Sequence, residues 1–342
     1  GFLLQRGEAA TAEQLEVLLN DMQVVGTEVL RVEEQPVSPW QEPVASEGAL
    51  AARSVSRTLI ESWRVTSYSG LQQHGSQRLL DVMPNFDIEA AGEDHQEEET
   101  DSALTPHHFP RGAAPGTFLH ELFESLDFPQ PPVAEKLEQH LQQNGYPLYW
   151  QPMLSEWIAR VVNTPLNAQG IQLGSVQASE RLVEMGFYLP IEGLLTANAL
   201  DSLIRQDALS AAAPPLEFRQ VQGMLKGFID LVFRWQGKYY LLDYKSNWLG
   251  DSHDAYTPAA MKQAMIDHRY DLQYQLYTLA LHRYLNHRLA DYDYEQHFGG
   301  VFYLFLRGMD GTSPANGVFH TRPSLDFVTQ LDRLFRGQGV IA

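Results

Sequence analysis

The chain contains no cysteine, which excludes disulfides and thiolate-ligated metal sites and agrees with a cytoplasmic setting. It has no apolar run of the roughly 18 residues that a membrane-spanning helix needs. Positive charge is scarce: 24 Lys and Arg stand against 43 Asp and Glu, a net charge of −19. A chain so acidic is not expected to wrap nucleic acid unaided. Neither a Walker A loop nor a Gly-rich dinucleotide fingerprint occurs, so no nucleotide-driven motor is expected within these residues. The chain opens on Gly1-Phe2-Leu3-Leu4-Gln5-Arg6, without Met and with too short an apolar run for a secretory signal. We expect an internal piece of a longer chain.

A hydrophobic content of 44% and an aromatic content of 11% suffice for a sizeable core. Residues 11–23 read as a helix, with Thr11 as N-cap and Gln14 three positions on. A strand-like TEVLRV follows Gly26. Residues 1–32 carry too little apolar surface to fold alone and read as the remnant of a preceding domain. Residues 33–62, rich in Glu, Gln, Pro, Ser and Ala, read as a linker. The main domain is expected over 63–342. Within it, 85–115 reads as a mobile loop, because EAAGEDHQEEETD is acidic and of low complexity and TPHHFPRGAAPG is rich in Pro and Gly. His107-His108 is read as an ordinary loop pair.

The chemistry concentrates in Leu225–Asn247, LKGFIDLVFRWQGKYYLLDYKSN. This reads as two strands joined at Gln236-Gly237, a two-residue turn in which Gly takes positive φ. Period-2 alternation puts Phe228, Asp230 and Val232 on one face and Ile229, Leu231 and Phe233 on the other. Tyr239, Leu241, Asp243 and Lys245 share a face of the second strand. A two-residue turn pairs positions whose numbers sum to 473, which sets Asp230 opposite Asp243. Like charges so placed repel, so removing one is expected to leave stability unchanged or raised. Lys245 supplies part of the compensating charge, and a divalent cation is the natural remainder. Both faces are too apolar for a solvated hairpin, so a cleft-lining position is expected.

Asp, about a dozen residues, then Asp-x-Lys on a strand resembles the PD-(D/E)XK nuclease superfamily. The wording GFIDLVF…YYLLDYKSNWLG resembles, more closely, the RecB-like nucleases of exodeoxyribonuclease V-type helicase–nucleases, from about Trp63 onward. That resemblance implies an α/β fold with a restriction-endonuclease-like core: a mixed central sheet flanked by helices. It assigns the His of GTFLH, His120, as a metal ligand, although His120-Glu121-x-x-Glu124 lacks the second His of a zinc protease. Glu121 and Glu124 are left as supporting groups. The acid on the strand before the hairpin is matched by Glu184, and the Gln-x-x-x-Tyr element that contacts DNA by Gln273 and Tyr277.

The implied activity is metal-dependent DNA hydrolysis serving double-strand-break repair, recombination and degradation of linear DNA. Asp230, Asp243 and His120, with the Tyr244 carbonyl, would hold Mg²⁺ or Mn²⁺, and Ca²⁺ is expected not to support cleavage. Lys245 would orient water or neutralise charge. Implied partners are DNA, RecC-like and RecD-like subunits and a RecA-type strand-exchange protein, with no membrane. The competing reading is a catalytically silent nuclease fold that binds partner subunits, and an intact Asp230, Asp243 and Lys245 weighs against it. A single helix is expected over about 258–289, its end made basic by His282, Arg283, His287 and Arg288, a candidate phosphate track. A buried strand within 299–310 and a closing amphipathic helix complete the chain.

Overall fold

A computed structural model describes residues 63–72 and 104–338 apart from Arg219, together with Thr11, Glu13, Glu16 and Val17. The chain divides into two compact units, residues 1–58 and 59–342. In the first, Glu13, Glu16 and Val17 are helical and exposed, in the interval expected to be helix. The strand expected at 27–32, the linker at 33–62 and the acidic run at 89–101 lie outside the described residues.

The second unit is α/β. Its strands are β1 (Trp63–Ser67), β2 (Arg181–Leu195), β3 (Val221–Trp235), β4 (Lys238–Lys245), β5 (Phe298–Phe305) and β6 (Val318–Thr321). Its principal helices are α1 (Ala113–Ser125), α2 (Ala134–Gln143), α3 (Gln151–Asn163), α4 (Pro258–Asp267), α5 (Tyr270–Arg288) and α6 (Leu325–Phe335). The sheet runs β1-β3-β4-β5-β6, with β2 on the other side of β3. Pairings β2–β3, β3–β4 and β5–β6 are antiparallel, and β1–β3 and β4–β5 parallel, so the sheet is mixed as expected.

Helices cover both faces, which is why β4 and β5 are apolar on both sides. Phe118, Phe123 and Trp157 of α1 and α3 pack on Phe233, Tyr240, Leu242, Tyr244 and Phe302. Leu272, Leu276 and Leu279 of α5 pack on Leu225, Ile229, Leu241 and Tyr303 from the other side.

The hairpin has the expected register: Trp235 pairs with Lys238 and Leu231 with Leu242. Gln236 and Gly237 both have positive φ, 47° and 78°, the signature of a two-residue turn whose twist matches the flanking strands. The expected alternation fails at one place. Ile229 packs with the α5 layer, whereas Leu231 and Phe233 pack with the α1 layer. The switch falls at Asp230, where β3 lies opposite Glu184, a non-glycine residue at φ 50° between the pairs Val183–Leu231 and Met185–Ile229. A left-handed residue in one strand re-aims the ribbon locally.

Two further expectations are corrected. The tract 104–115 is packed rather than loose: Phe109 is fully buried among Phe118, Trp150 and Trp157, and α1 starts at Ala113. Its Pro and Gly composition concealed one buried aromatic anchor. The helix expected over 258–289 is two helices, broken at His268-Arg269. Arg269 adopts φ 56° and is held there by its own guanidinium, which donates to Asp271 and to the Pro214 carbonyl.

Candidate active site

β1 and β4 share one edge of β3, end to end. β1 pairs with Gln222–Lys226 and β4 with Leu231–Trp235. Between them no described residue pairs with β3 on that edge over residues 227–230, and the interval ends at Asp230. The hairpin ladder stops one pair short of Asp230 and Asp243, where continued pairing would set two carboxylates side by side. There Asp230 Oδ2 accepts from the Tyr244 backbone N–H at 2.9 Å instead.

α1 places His120 over this point, with Nδ1 3.2 Å from Asp230 Oδ2. The helix can approach because Phe123 stacks on Tyr244 and because Gly116 passes Ser246, whose hydroxyl a Cβ there would meet at 3.2 Å. On the opposite side of β4, Lys245 Nζ lies 2.7 Å from Asp243 Oδ1, with the two residues only 1% and 2% exposed. The ammonium sits over the Tyr270 ring at 3.9 Å and near the Tyr303 ring at 5.3 Å, an arrangement that suits a desolvated cation. Tyr303 donates to Gln273 Oε1 at 2.8 Å, and Gln273 Nε2 donates to the Tyr277 hydroxyl at 3.1 Å. Gln273 and Tyr277 are thus buried members of the wall behind Lys245, not parts of an open groove.

The electrostatics follow from this packing. Burial by itself would lower the His120 pKa, but the Asp230 charge and hydrogen bond, with Asp243, outweigh it and raise it to about 9. Burial likewise pushes the Asp230 carboxyl up, yet His120, Lys245 and the Tyr244 N–H hold it below the ordinary carboxylate range. Glu184 behaves oppositely: burial, then the charges of Asp230 and Glu124, push it up to about 8, and it shares a hydrogen bond with Glu124. The Tyr277 hydroxyl is held protonated by burial and by the nearby charges of Asp243 and Asp230.

The structure therefore brings His120, Asp230, Glu184, Asp243, Tyr244 and Lys245 to one locus, with Gln273 and Tyr277 behind it. Sequence reasoning left Glu124 as a supporting group; the His120/Glu124 spacing on α1 was the signal that it returns to the site. It missed Arg307 entirely, although an Arg inside the apolar run FYLFLRGM is itself a signal. The expected phosphate track does not hold as drawn, because Arg283 is paired with Asp332. Among the described residues no three His, Asp or Glu side chains are gathered as a ready metal cage. The donors nevertheless fit a hard cation in kind: two carboxylates from adjoining strands and one imidazole, with no thiolate. Each carboxylate is matched here to a protein cation, Asp230 to His120 and Asp243 to Lys245.

These features, an Asp and an Asp-x-Lys on adjoining strands of a mixed sheet covered by helices, define a nuclease-type fold. Residues 99–338 match the PD-(D/E)XK nuclease superfamily, and the chain belongs to it. It is 53% identical over 338 residues to the RecBCD enzyme subunit RecB of Escherichia coli K12, covering 98% of this chain and 28% of that protein. To RecB of Haemophilus influenzae it is 37% identical over 294 residues, 80% of this chain and 24% of that protein. To RecB of Mycolicibacterium smegmatis it is 32% identical over 344 residues, 87% of this chain and 31% of that protein. The chain thus spans about a quarter to a third of the length of these relatives.

Proposed function

We propose that this chain is the nuclease module of a RecBCD-type helicase–nuclease and hydrolyses DNA phosphodiester bonds with the help of Mg²⁺. The observation that carries the proposal is the meeting of Asp230, Asp243, Lys245 and His120 where β3 passes from its pairing with β1 to its pairing with β4. Asp230, Asp243 and His120, with the Tyr244 carbonyl, are the assigned ligands. An ion held there would supply Lewis-acid chemistry, polarising the scissile phosphate and lowering the pKa of a bound water. To serve as a ligand His120 would have to give up its proton, and a cation would then take over the imidazolium's part in balancing Asp230.

Lys245 is held beside Asp243 by Tyr270 and Tyr303. From there it orients the attacking water or neutralises charge developing on the phosphate oxygens. Glu184, on a strained residue that faces Asp230, shares a proton with Glu124 and is assigned a supporting role. Gln273 and Tyr277 back the site from the buried wall, fixing Tyr303 beside Lys245.

The relatives are RecB subunits of a RecBCD enzyme, which supports RecC-like and RecD-like partners for this chain; DNA as substrate and a role in recombinational repair are part of the proposal. A RecA-type partner and a cytoplasmic location belong to the same proposal. No helix among the described residues is long and apolar enough to cross a membrane.

End-labelled linear DNA incubated with the chain tests this. Mg²⁺ or Mn²⁺ is expected to support cleavage and Ca²⁺ to support little, since its looser geometry places the water less well. Equal rates in Mg²⁺ and Ca²⁺ would count against water activation. No cleavage in any metal would favour the scaffold reading.

A further inference from the structure

We propose that Trp248, backed by Arg111, is a stacking platform for a nucleobase of the substrate strand beside the cleaved bond. The proposal rests on the nuclease reading above. Trp248 lies three residues beyond Lys245, so its Cα is at most about 11 Å from the lysine's. It is 39% exposed, although an indole is ordinarily drawn into the core. The Arg111 guanidinium lies 3.8 Å from its ring centroid. A guanidinium on an aromatic face is a cation–π contact, and here it also adds positive charge next to the site in a chain of net charge −19.

The setting of this indole separates a built platform from a chance surface contact. Trp248's neighbours in the chain are pinned by one side chain. The Tyr256 hydroxyl donates to the Asn247 carbonyl at 3.0 Å and accepts from the Leu249 N–H at 3.2 Å. The Asn247 side chain accepts from the Tyr270 hydroxyl at 3.2 Å, and Tyr270 is the ring under Lys245. The segment bearing Arg111 is fixed to the same place by Arg307, which is 1% exposed. Its guanidinium donates to Ser246 O at 3.0 Å, Phe109 O at 2.9 Å and Pro110 O at 2.7 Å, and also to Pro106 O. One buried arginine thus ties the chain entering α1 to the chain leaving β4, and sets Arg111 on Trp248.

A rigidly held backbone that presents an exposed aromatic suits base stacking, in which every base offers a π face and sequence does not matter. Stacking also supplies affinity that does not depend on neutralising phosphates, which this acidic chain does poorly. Arg307 is accordingly a positioning residue, and Trp248 the contact.

The test compares two strands of equal length and charge: oligothymidylate, and the same oligomer carrying a run of abasic sugars. Binding to the 342-residue chain is followed by anisotropy with Ca²⁺ present, and cleavage with Mg²⁺. The wild-type chain is expected to bind the base-bearing strand about tenfold more tightly than the abasic one, and to cut it with a correspondingly lower KM. Trp248→Ala should bind both strands equally, at the wild-type level for the abasic strand, while Trp248→Phe retains part of the preference. Thermal melting of the variants reports whether the fold is kept. An unchanged preference in Trp248→Ala, or no preference in the wild type, overturns the platform. Failure of the nuclease reading looks different, as no cleavage of either strand in Mg²⁺, and leaves the binding comparison to decide the platform by itself.

Discussion

At the scale of single residues, Asp230 and Asp243 each have their own cation, and this changes what removing one does. Asp243 and Lys245 are both almost wholly buried. Breaking such a pair leaves an uncompensated charge, which commonly costs about 3–5 kcal/mol. Lys245→Ala is therefore expected to abolish hydrolysis and also to lower the urea midpoint. Asp243→Asn, which keeps the volume, should abolish hydrolysis at a smaller loss of stability. This reverses the expectation of stability unchanged or raised that followed from treating Asp230 and Asp243 as a bare like-charge pair. A Lys245→Ala chain as stable as wild type would show that the pair is not desolvated.

A second residue-scale expectation concerns His107. Burial, then His253 and Arg307, depress its pKa to about 4. Between that value and the ordinary 6.5 the unfolded chain binds the proton and the folded chain does not. The stability His107 permits is thus present above about pH 6.5 and is lost as pH falls toward 4. Urea midpoints across this window should fall less steeply for His107→Phe than for wild type. Parallel slopes would sink the assignment.

At the scale of elements, the hairpin was the most legible part of the sequence, because a two-residue turn fixes register by arithmetic. Gly237 carries φ 78° with nothing within 4 Å of where a Cβ would stand, so Gly237→Ala meets no clash. It is expected to cost only the left-handed penalty, about 1 kcal/mol, read as a lowered urea midpoint with cleavage unchanged. A loss of several kcal/mol would mean that the turn is coupled to the site.

What the pattern could not show was the twist at Asp230. Period-2 alternation assumes a regular strand, and Glu184 at φ 50° breaks it from the neighbouring strand. The division of α4 from α5 was hidden for a similar reason. Arg269 and Asp271 are good enough helix residues locally, and the break is set by a tertiary bond to Pro214. His120 and Glu184 were reached only through family resemblance, since one His on a helix and one acid on a strand carry little signal alone. The Arg307 clamp depends on three carbonyls about 200 residues earlier in the chain and on Ser246, which no local pattern encodes.

At the scale of the whole molecule, a net charge of −19 sets the terms of access. It repels a duplex over about a Debye length, roughly 8 Å at physiological salt. With Arg283 already paired to Asp332, fewer cations remain for phosphates than composition suggested. Capture of duplex DNA by this chain alone is expected to be weak, with a shallow salt dependence; under the proposed helicase–nuclease reading, a linked motor would raise the effective strand concentration. Anisotropy with duplex DNA across a salt series, Ca²⁺ present, checks this. Tight binding that weakens steeply with salt would contradict it.

The central claim is that His120, Asp230 and Asp243, from α1, β3 and β4, hold a catalytic cation. Anomalous diffraction from a crystal soaked in Mn²⁺ tests it most directly. The account predicts a peak among these three side chains, within coordination distance of the Tyr244 carbonyl, that is lost in Asp243→Asn. A strong peak elsewhere, with none at this locus in a chain that cleaves DNA in Mn²⁺, would contradict it.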